Sequence, residues 1–192
     1  MKPTIGIDID DVVVDFTNPF LDFYYQRTGR RVHYDDIHTY KLEVDLARPR
    51  NEVIGIVREF YQTEEFDNLP FIDGAKEAVN NICETLGGVF LTSRPYEGRE
   101  KTIPWAKLHF PYIGSGVLFS RDFQSDRKIP KSTVCLREGL TTIIEDNRHY
   151  SLGCANVGIR TILFNRPWNK GVQHHLIARV NNWREAIWAI GD

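Results

Sequence analysis

Ile5-Gly6-Ile7-Asp8-Ile9-Asp10-Asp11-Val12-Val13-Val14-Asp15 sets four carboxylates within eight residues at the end of a short apolar run. Thr4 to Ile9 is rich in β-branched residues, as a buried strand should be, and it runs straight into the acidic turn Asp10-Asp11. Two unit charges 4 Å apart repel by about 1 kcal/mol in bulk water and about 4 kcal/mol at an effective dielectric near 20, so a partly buried carboxylate pair needs a cation. Mg²⁺ suits such a place, because it takes oxygen ligands from one or two carboxylates plus a substrate phosphate. The carboxyl ends of parallel strands are also where open α/β sheets bind ligands. A short D-x-D also occurs as a solvated turn, so the rest of the chain has to discriminate.

Working outward, further short apolar runs recur at Gly88 to Thr92, Gly116 to Ser120, Thr141 to Ile144 and Ile159 to Phe164, which makes five expected strands. Helical stripes lie between most of them. Ala75, Val79, Ile82 and Leu86 follow helical spacing after an expected Asp73 N-cap, and Val172, Leu176, Val180, Trp183, Ile187 and Ile190 suggest one C-terminal helix. Strands alternating with helices predict an α/β fold, a Rossmann-like parallel five-stranded sheet with helices on both faces. The alternation breaks after the first strand, where Asn18-Pro19 should open a helix burying Phe20, Phe23 and Tyr24, and Val53, Ile56, Val57, Phe60 and Tyr61 form a second stripe. Residues 16–72 are therefore expected to be a small helical insertion, with 1–15 and 73–192 forming the core.

The composition excludes several classes. At 192 residues, 42% hydrophobic and 26% charged, the chain is an ordinary globular one, long enough for one domain plus an insertion. Its 24 Lys and Arg against 26 Asp and Glu give a formal charge of −2, which is no footprint for a nucleic-acid polymer or an acidic membrane. No apolar stretch is long enough to span a membrane, and the first residues carry carboxylates where a signal peptide needs apolar ones, so a cytoplasmic protein is expected. Cys83, Cys135 and Cys154 are odd in number and form no C-x-x-C pair, which argues against a disulfide framework and a zinc site.

Three more stretches carry chemistry. Leu91-Thr92-Ser93-Arg94-Pro95 ends a core strand in hydroxyls with Pro95 ready to open a helix, a setting that favours phosphate or plain N-capping. Arg94 can reach a phosphate there or pair with a carboxylate. Ile143-Ile144-Glu145-Asp146-Asn147 ends another strand in paired carboxylates, which with Asp8 and Asp10 completes a hard-cation site. Before it, Asp126-Arg127-Lys128-Ile129-Pro130-Lys131 offers two lysines, either of which can also be an ordinary surface residue.

The ordered set Asp8-x-Asp10, Thr92, a lysine and Glu145-Asp146 resembles the four motifs of the haloacid dehalogenase (HAD) superfamily of phosphohydrolases. The run Asp8 to Phe16 and the later Arg166-Pro167-Trp168-Asn169 are similar to the 5′(3′)-deoxyribonucleotidase group and its bacterial relatives. The resemblance implies a HAD-like core with residues 16–72 as cap. It implies Asp8 as nucleophile, Asp10 as general acid/base, and Thr92, Ser93 and a lysine on phosphate. Lys131 is preferred over Lys128, because it leaves room for a helical stretch before the Glu145 strand. It implies Mg²⁺ held by Asp8, Asp146, the Asp10 carbonyl, and Glu145 through water. Phe16 and Arg94 are expected at the substrate pocket. Two departures stand out: Asp11 replaces a common Gly, and Asn147 stands where deoxyribonucleotidases tend to have Arg.

The activity expected is Mg²⁺-dependent hydrolysis of a small phosphomonoester, in particular a nucleotide. A phosphatase of another small metabolite and a phosphotransferase are alternatives. So is a phospho-accepting receiver domain, which would not need the insertion.

Overall fold

The computed structural model describes residues 4–113, 116–122 and 127–191. Its elements are, in order, β1 (Ile5–Ile7), α1 (Thr17–Thr28), α2 (Leu42–Asp45), α3 (Arg50–Phe60), α4 (Glu64–Asp67), α5 (Ala75–Thr85), β2 (Gly88–Thr92), α6 (Tyr96–His109), β3 (Val117–Phe119), β4 (Arg121–Asp122), β5 (Arg127–Lys128), α7 (Lys131–Glu138), β6 (Thr142–Glu145), α8 (Arg148–Ala155), β7 (Arg160–Phe164), β8 (Ile177–Val180) and α9 (Trp183–Gly191). The main sheet runs β3-β2-β1-β6-β7-β8 with every pairing parallel, and β4 and β5 form a small antiparallel hairpin.

Side chains alternate across a strand, and the core divides accordingly. Val89, Leu91 and Ile143 face Val134 and Cys135 of α7 and Cys154 of α8. Ile7, Phe90, Ile144, Ile162 and Phe164 face the other way, onto Ala75, Val79 and Ile82 of α5 and Trp183 and Ala186 of α9. Gly88 admits the close approach of α5, since a Cβ there would stand 3.0 Å from Cys83 Sγ and 3.1 Å from Ile82.

The sheet has six strands where five were expected. The sixth, Ile177–Val180, comes from the segment whose three- and four-residue spacing suggested a helix from Val172 onward. The segment Ile177-Ala178-Arg179-Val180 docks beside β7 and satisfies its backbone in the sheet, and the helix starts only after Asn182, whose Oδ1 accepts the Glu185 amide. Two expected caps also differ. Gly74 at φ +73°, not Asp73, precedes α5. Helix α1 begins at Thr17, so Pro19 is third in the helix, still within the first turn where no intrahelical N–H bond is lost.

The chain between β1 and α5 carries α1 to α4. It leaves and re-enters the core side by side: Val14 bridges Phe71, the Ile72 amide donates to Val13 O, and the Asp15 amide donates to Pro70 O. Phe16 stacks on Phe20 and meets Phe60 edge-on, so an aromatic cluster sits directly above this stem. All three cysteines are buried and free.

Candidate active site

The strand register aligns the site. Ile7 lies level with Phe90 on one side and Ile144 on the other, so Asp8, Thr92 and Glu145-Asp146 emerge along one edge of the sheet. Chain order reverses across β1, with β2 and β3 on one side and β6 to β8 on the other, and this switch point is where an open parallel sheet leaves a crevice. The Asp8 amide donates to Ile144 O at 2.9 Å, which ties the first acidic turn to the second.

Asp8, Glu145 and Asp146 are all buried, with one carboxylate oxygen of each within 4.8 Å of the others. Lys131, fully buried, gives its ammonium to Asp8 Oδ1 at 2.8 Å and to Glu145 Oε1. Glu145 Oε2 accepts the amides of Asp146 and Asn147, so both its oxygens have partners. Asp146 Oδ2 accepts the Trp168 indole N–H at 2.8 Å. Burial pushes the Asp8 carboxyl well above the usual range, Glu145 adds to the rise and Lys131 opposes it. Burial, then Glu145 and Asp8, do the same to Asp146. Burial works against the Lys131 ammonium, but Asp8 and Glu145 outweigh it and hold its pKa above the ordinary value.

With all three carboxylates ionised, one ammonium leaves two negative charges without compensation inside this cluster, and without a cation that state is resisted by the raised pKa of Asp8 and Asp146. That deficit, in an all-oxygen donor set, fits a hard divalent cation such as Mg²⁺.

The other expected residues fall around the cluster in different ways. Asp10 is bound side-on by Arg94, with Nε at 3.0 and 3.2 Å and Nη2 at 2.6 Å, and Arg94 is buried between the rings of Phe66 and Trp105. Arg94 thus takes the carboxylate-pairing option. Thr92 is fully buried, its Oγ1 accepting the Arg94 amide at 3.1 Å. Ser93 hydrogen-bonds Ser120 at 2.8 Å and faces the cavity, as Thr92 does not. Lys131 lies against Asp8, whereas Lys128 sits exposed at the cavity rim. Asp11 adopts φ +58°, and its carboxylate accepts the amides of Phe16 and Thr17 and the Thr17 hydroxyl, which caps α1. Asn147 caps α8 through the His149 and Tyr150 amides.

Above the cluster opens a cavity of about 480 Å³, floored by Asp8, Asp10 and Asp146. One wall is a face of α3 and its end, Val53, Ile54, Val57 and Tyr61, with Arg50 and Arg58 on the same side. Phe16 also lines it. Sequence reasoning missed several contributors. Ser120 ends its expected strand beside Thr92 and could have been read from that placement. Tyr150, whose ring lies 5.1 Å from the Lys131 ammonium, carried no local signal.

Residues 2–190 match the model of the family "5′ nucleotidase, deoxy (Pyrimidine), cytosolic type C protein". The chain belongs to this family. Among curated proteins none is similar enough to count as a relative. Solved structures share the fold of this chain. A HAD family hydrolase from Deinococcus radiodurans R1 with bound phosphate and sodium is 14% identical, over 100% of this chain and 96% of that one, at TM-score 0.66. A haloacid dehalogenase-like hydrolase from Streptococcus pneumoniae is 13% identical over 98% and 99% at 0.68. A haloacid dehalogenase-like protein from Agrobacterium tumefaciens is 16% identical over 98% and 98% at 0.67. The chain is thus a hydrolase of the phosphatase or nucleotidase type with the HAD fold, and its substrate is a small phosphorylated molecule. No helix among the described residues is long and apolar enough to cross a membrane.

Proposed function

We propose that the protein is a Mg²⁺-dependent nucleotidase that removes phosphate from a small (deoxy)nucleotide, with residues 16–72 serving as its cap. The observation that carries this reading is the Lys131 ammonium at 2.8 Å from Asp8, at the switch point of the sheet and beneath an open cavity. A lysine there draws the carboxylate into its ionised form and fixes its direction, which is what an attacking Asp requires.

Asp8 attacks phosphorus, the ester oxygen leaves, and an aspartyl phosphate results. Asp10 gives the departing alcohol its proton and then takes one from the water that hydrolyses the intermediate. Arg94 holds Asp10 at the cavity edge until substrate arrives. Ser93 faces the transferring group, with Thr92 behind it, and Lys131 balances charge spread over the equatorial oxygens. Asp8, Asp146 and the Asp10 carbonyl would hold Mg²⁺, which when bound supplies positive charge to the phosphoryl oxygens. Glu145, with both oxygens engaged, orients Lys131 and the Asp146 turn.

Phe16 and Tyr61 line the cavity wall, where an aromatic surface suits a base. The test is phosphate release with Mg²⁺ from a panel of nucleoside monophosphates and other phosphorylated metabolites. Preferential turnover of deoxynucleotides supports the reading, and equal or better turnover of phosphosugars overturns the nucleotide assignment.

A further inference from the structure

Two buried tryptophans of this chain spend their indole N–H groups differently. Trp183 donates to a main-chain carbonyl, Val12 O, at 2.9 Å, as a residue that only ties the fold together would. Trp168 donates to a carboxylate of the acidic cluster, Asp146 Oδ2, at 2.8 Å. Trp168 lies in the stretch Arg166-Pro167-Trp168-Asn169, and that turn grips Asp146 from two sides. Asn169 Nδ2 donates to Asp146 O at 2.6 Å and to Phe164 O at 2.7 Å. Arg179 of β8 holds Asn169 in place, donating to its Oδ1 and to its carbonyl, each at 3.0 Å. The main chain of Asp146 is therefore already secured by Asn169, and the indole acts on the side chain alone. Its own ring is set by Tyr34, edge-on at 5.5 Å, from the insertion.

We propose that Trp168 is a positioning residue for the metal site: its indole commits one Asp146 oxygen and fixes the carboxylate rotamer, leaving the second oxygen for the cation shared with Asp8. A carboxylate free to rotate in this crowded, buried cluster would turn away from Asp8 and Glu145, because repulsion favours separation. One neutral donor prevents this without adding a positive charge that would compete with the cation. Partners of this kind, one step removed from a metal, typically contribute about 10- to 100-fold in metal affinity. The inference rests on the Mg²⁺ reading above and adds a specific residue to it.

The experiment is calorimetric titration of Mg²⁺ into the substrate-free protein and into Trp168→Phe, which keeps the ring against Tyr34 and removes the N–H. The Mg²⁺ dissociation constant should rise about 10-fold or more, and phosphatase activity lost at limiting Mg²⁺ should return at saturating Mg²⁺. Trp183→Phe should lower the melting temperature and leave the Mg²⁺ affinity unchanged. If Trp168→Phe does not fold, Trp168→Gln supplies an amide donor on an unbranched chain and should bind Mg²⁺ within a few-fold of the parent. An affinity for Mg²⁺ unchanged within twofold in Trp168→Phe, or one lost in Trp168→Gln, overturns the role of the indole while leaving the metal site standing. A parent protein that binds no Mg²⁺ overturns the metal site and this inference together.

Discussion

The floor of the cavity and the wall above it are held by different forces. At the floor Asp8 and Asp146 are buried, with Glu145 beneath them, and each has a hydrogen-bond partner: Lys131 for Asp8 and Glu145, backbone amides for Glu145, an indole for Asp146. On the wall, α3 turns Val53, Ile54 and Val57 to the cavity, flanked by the exposed Arg50 and Arg58. A buried charge cluster loses several kcal/mol when one partner is removed, while Ile54 and Val57, which unlike the buried Val53 keep some exposure, cost far less to exchange. The floor is therefore fixed by its chemistry, and the wall is where substrate choice can change without loss of the reaction.

The largest difference should come from the two lysines. Lys131→Ala is expected to lower kcat by about 10² to 10³, as loss of an electrostatic partner of the transition state does. It should also destabilise the protein by about 3 to 5 kcal/mol, because two buried carboxylates lose their cation. Lys128→Ala, at the exposed rim, should leave stability unchanged and act mainly on KM. Steady-state kinetics with urea unfolding of both variants checks this, and the reverse ranking would place the floor's charge balance elsewhere.

A second difference concerns pH. Folding raises the pKa of Asp8 and Asp146, so without metal the native state binds more protons than the unfolded chain over the range between the two values. The contribution of these groups to stability is greatest below the ordinary carboxylate pKa and is lost as pH rises through the folded values. Mg²⁺ needs both groups ionised, so its stabilising effect should grow in the opposite direction. At a hundredfold excess over Kd it should approach about 2.7 kcal/mol, or roughly 5 to 11 °C in a chain of this size. Thermal melts with and without Mg²⁺ at pH 5.5 and pH 8 should show the larger shift at pH 8. A shift independent of pH would mean that these carboxylates are not the ligands.

The smallest effect belongs to the wall. Phe16 lines the cavity but is also packed on Phe20 and Phe60, so its ring serves the aromatic cluster whatever else it does. Stacking on a base is worth about 1 to 3 kcal/mol. Phe16→Ala should thus lower kcat/KM for a nucleotide by about 10-fold while p-nitrophenyl phosphate, with no base, changes little. Equal losses on both substrates with a lower melting temperature would make Phe16 structural only.

The same contrast explains what the sequence disclosed. Floor residues follow short apolar runs, and a strand end fixes where the next side chain emerges, so the sequence alone places Asp8, Thr92 and Asp146 at one end of the sheet. The spacing of Lys131 from Glu145 favours it over Lys128, and it starts α7 beneath Asp8. The wall and the supporting contacts are long-range. Trp168 meets Asp146 across 22 positions and Arg94 meets Asp10 across 84, and no periodicity encodes either meeting. Strand β8 hides in the sequence because Val180 continues the helical stripe of Val172 and Leu176, and only the docking of Ile177–Val180 beside β7 decides for a strand.

The central claim is that Asp8 is the nucleophile of this floor. Rapid acid quench of the enzyme with Mg²⁺ and a nucleotide carrying labelled phosphate, followed by peptide mapping, addresses it most directly. The label should appear on the peptide containing Asp8 within one turnover and decay as free phosphate is released. It should be absent in Asp8→Asn, which is nearly isosteric and should remain folded. Phosphate release by Asp8→Asn at the parent's rate, or label trapped on another residue, would contradict the account.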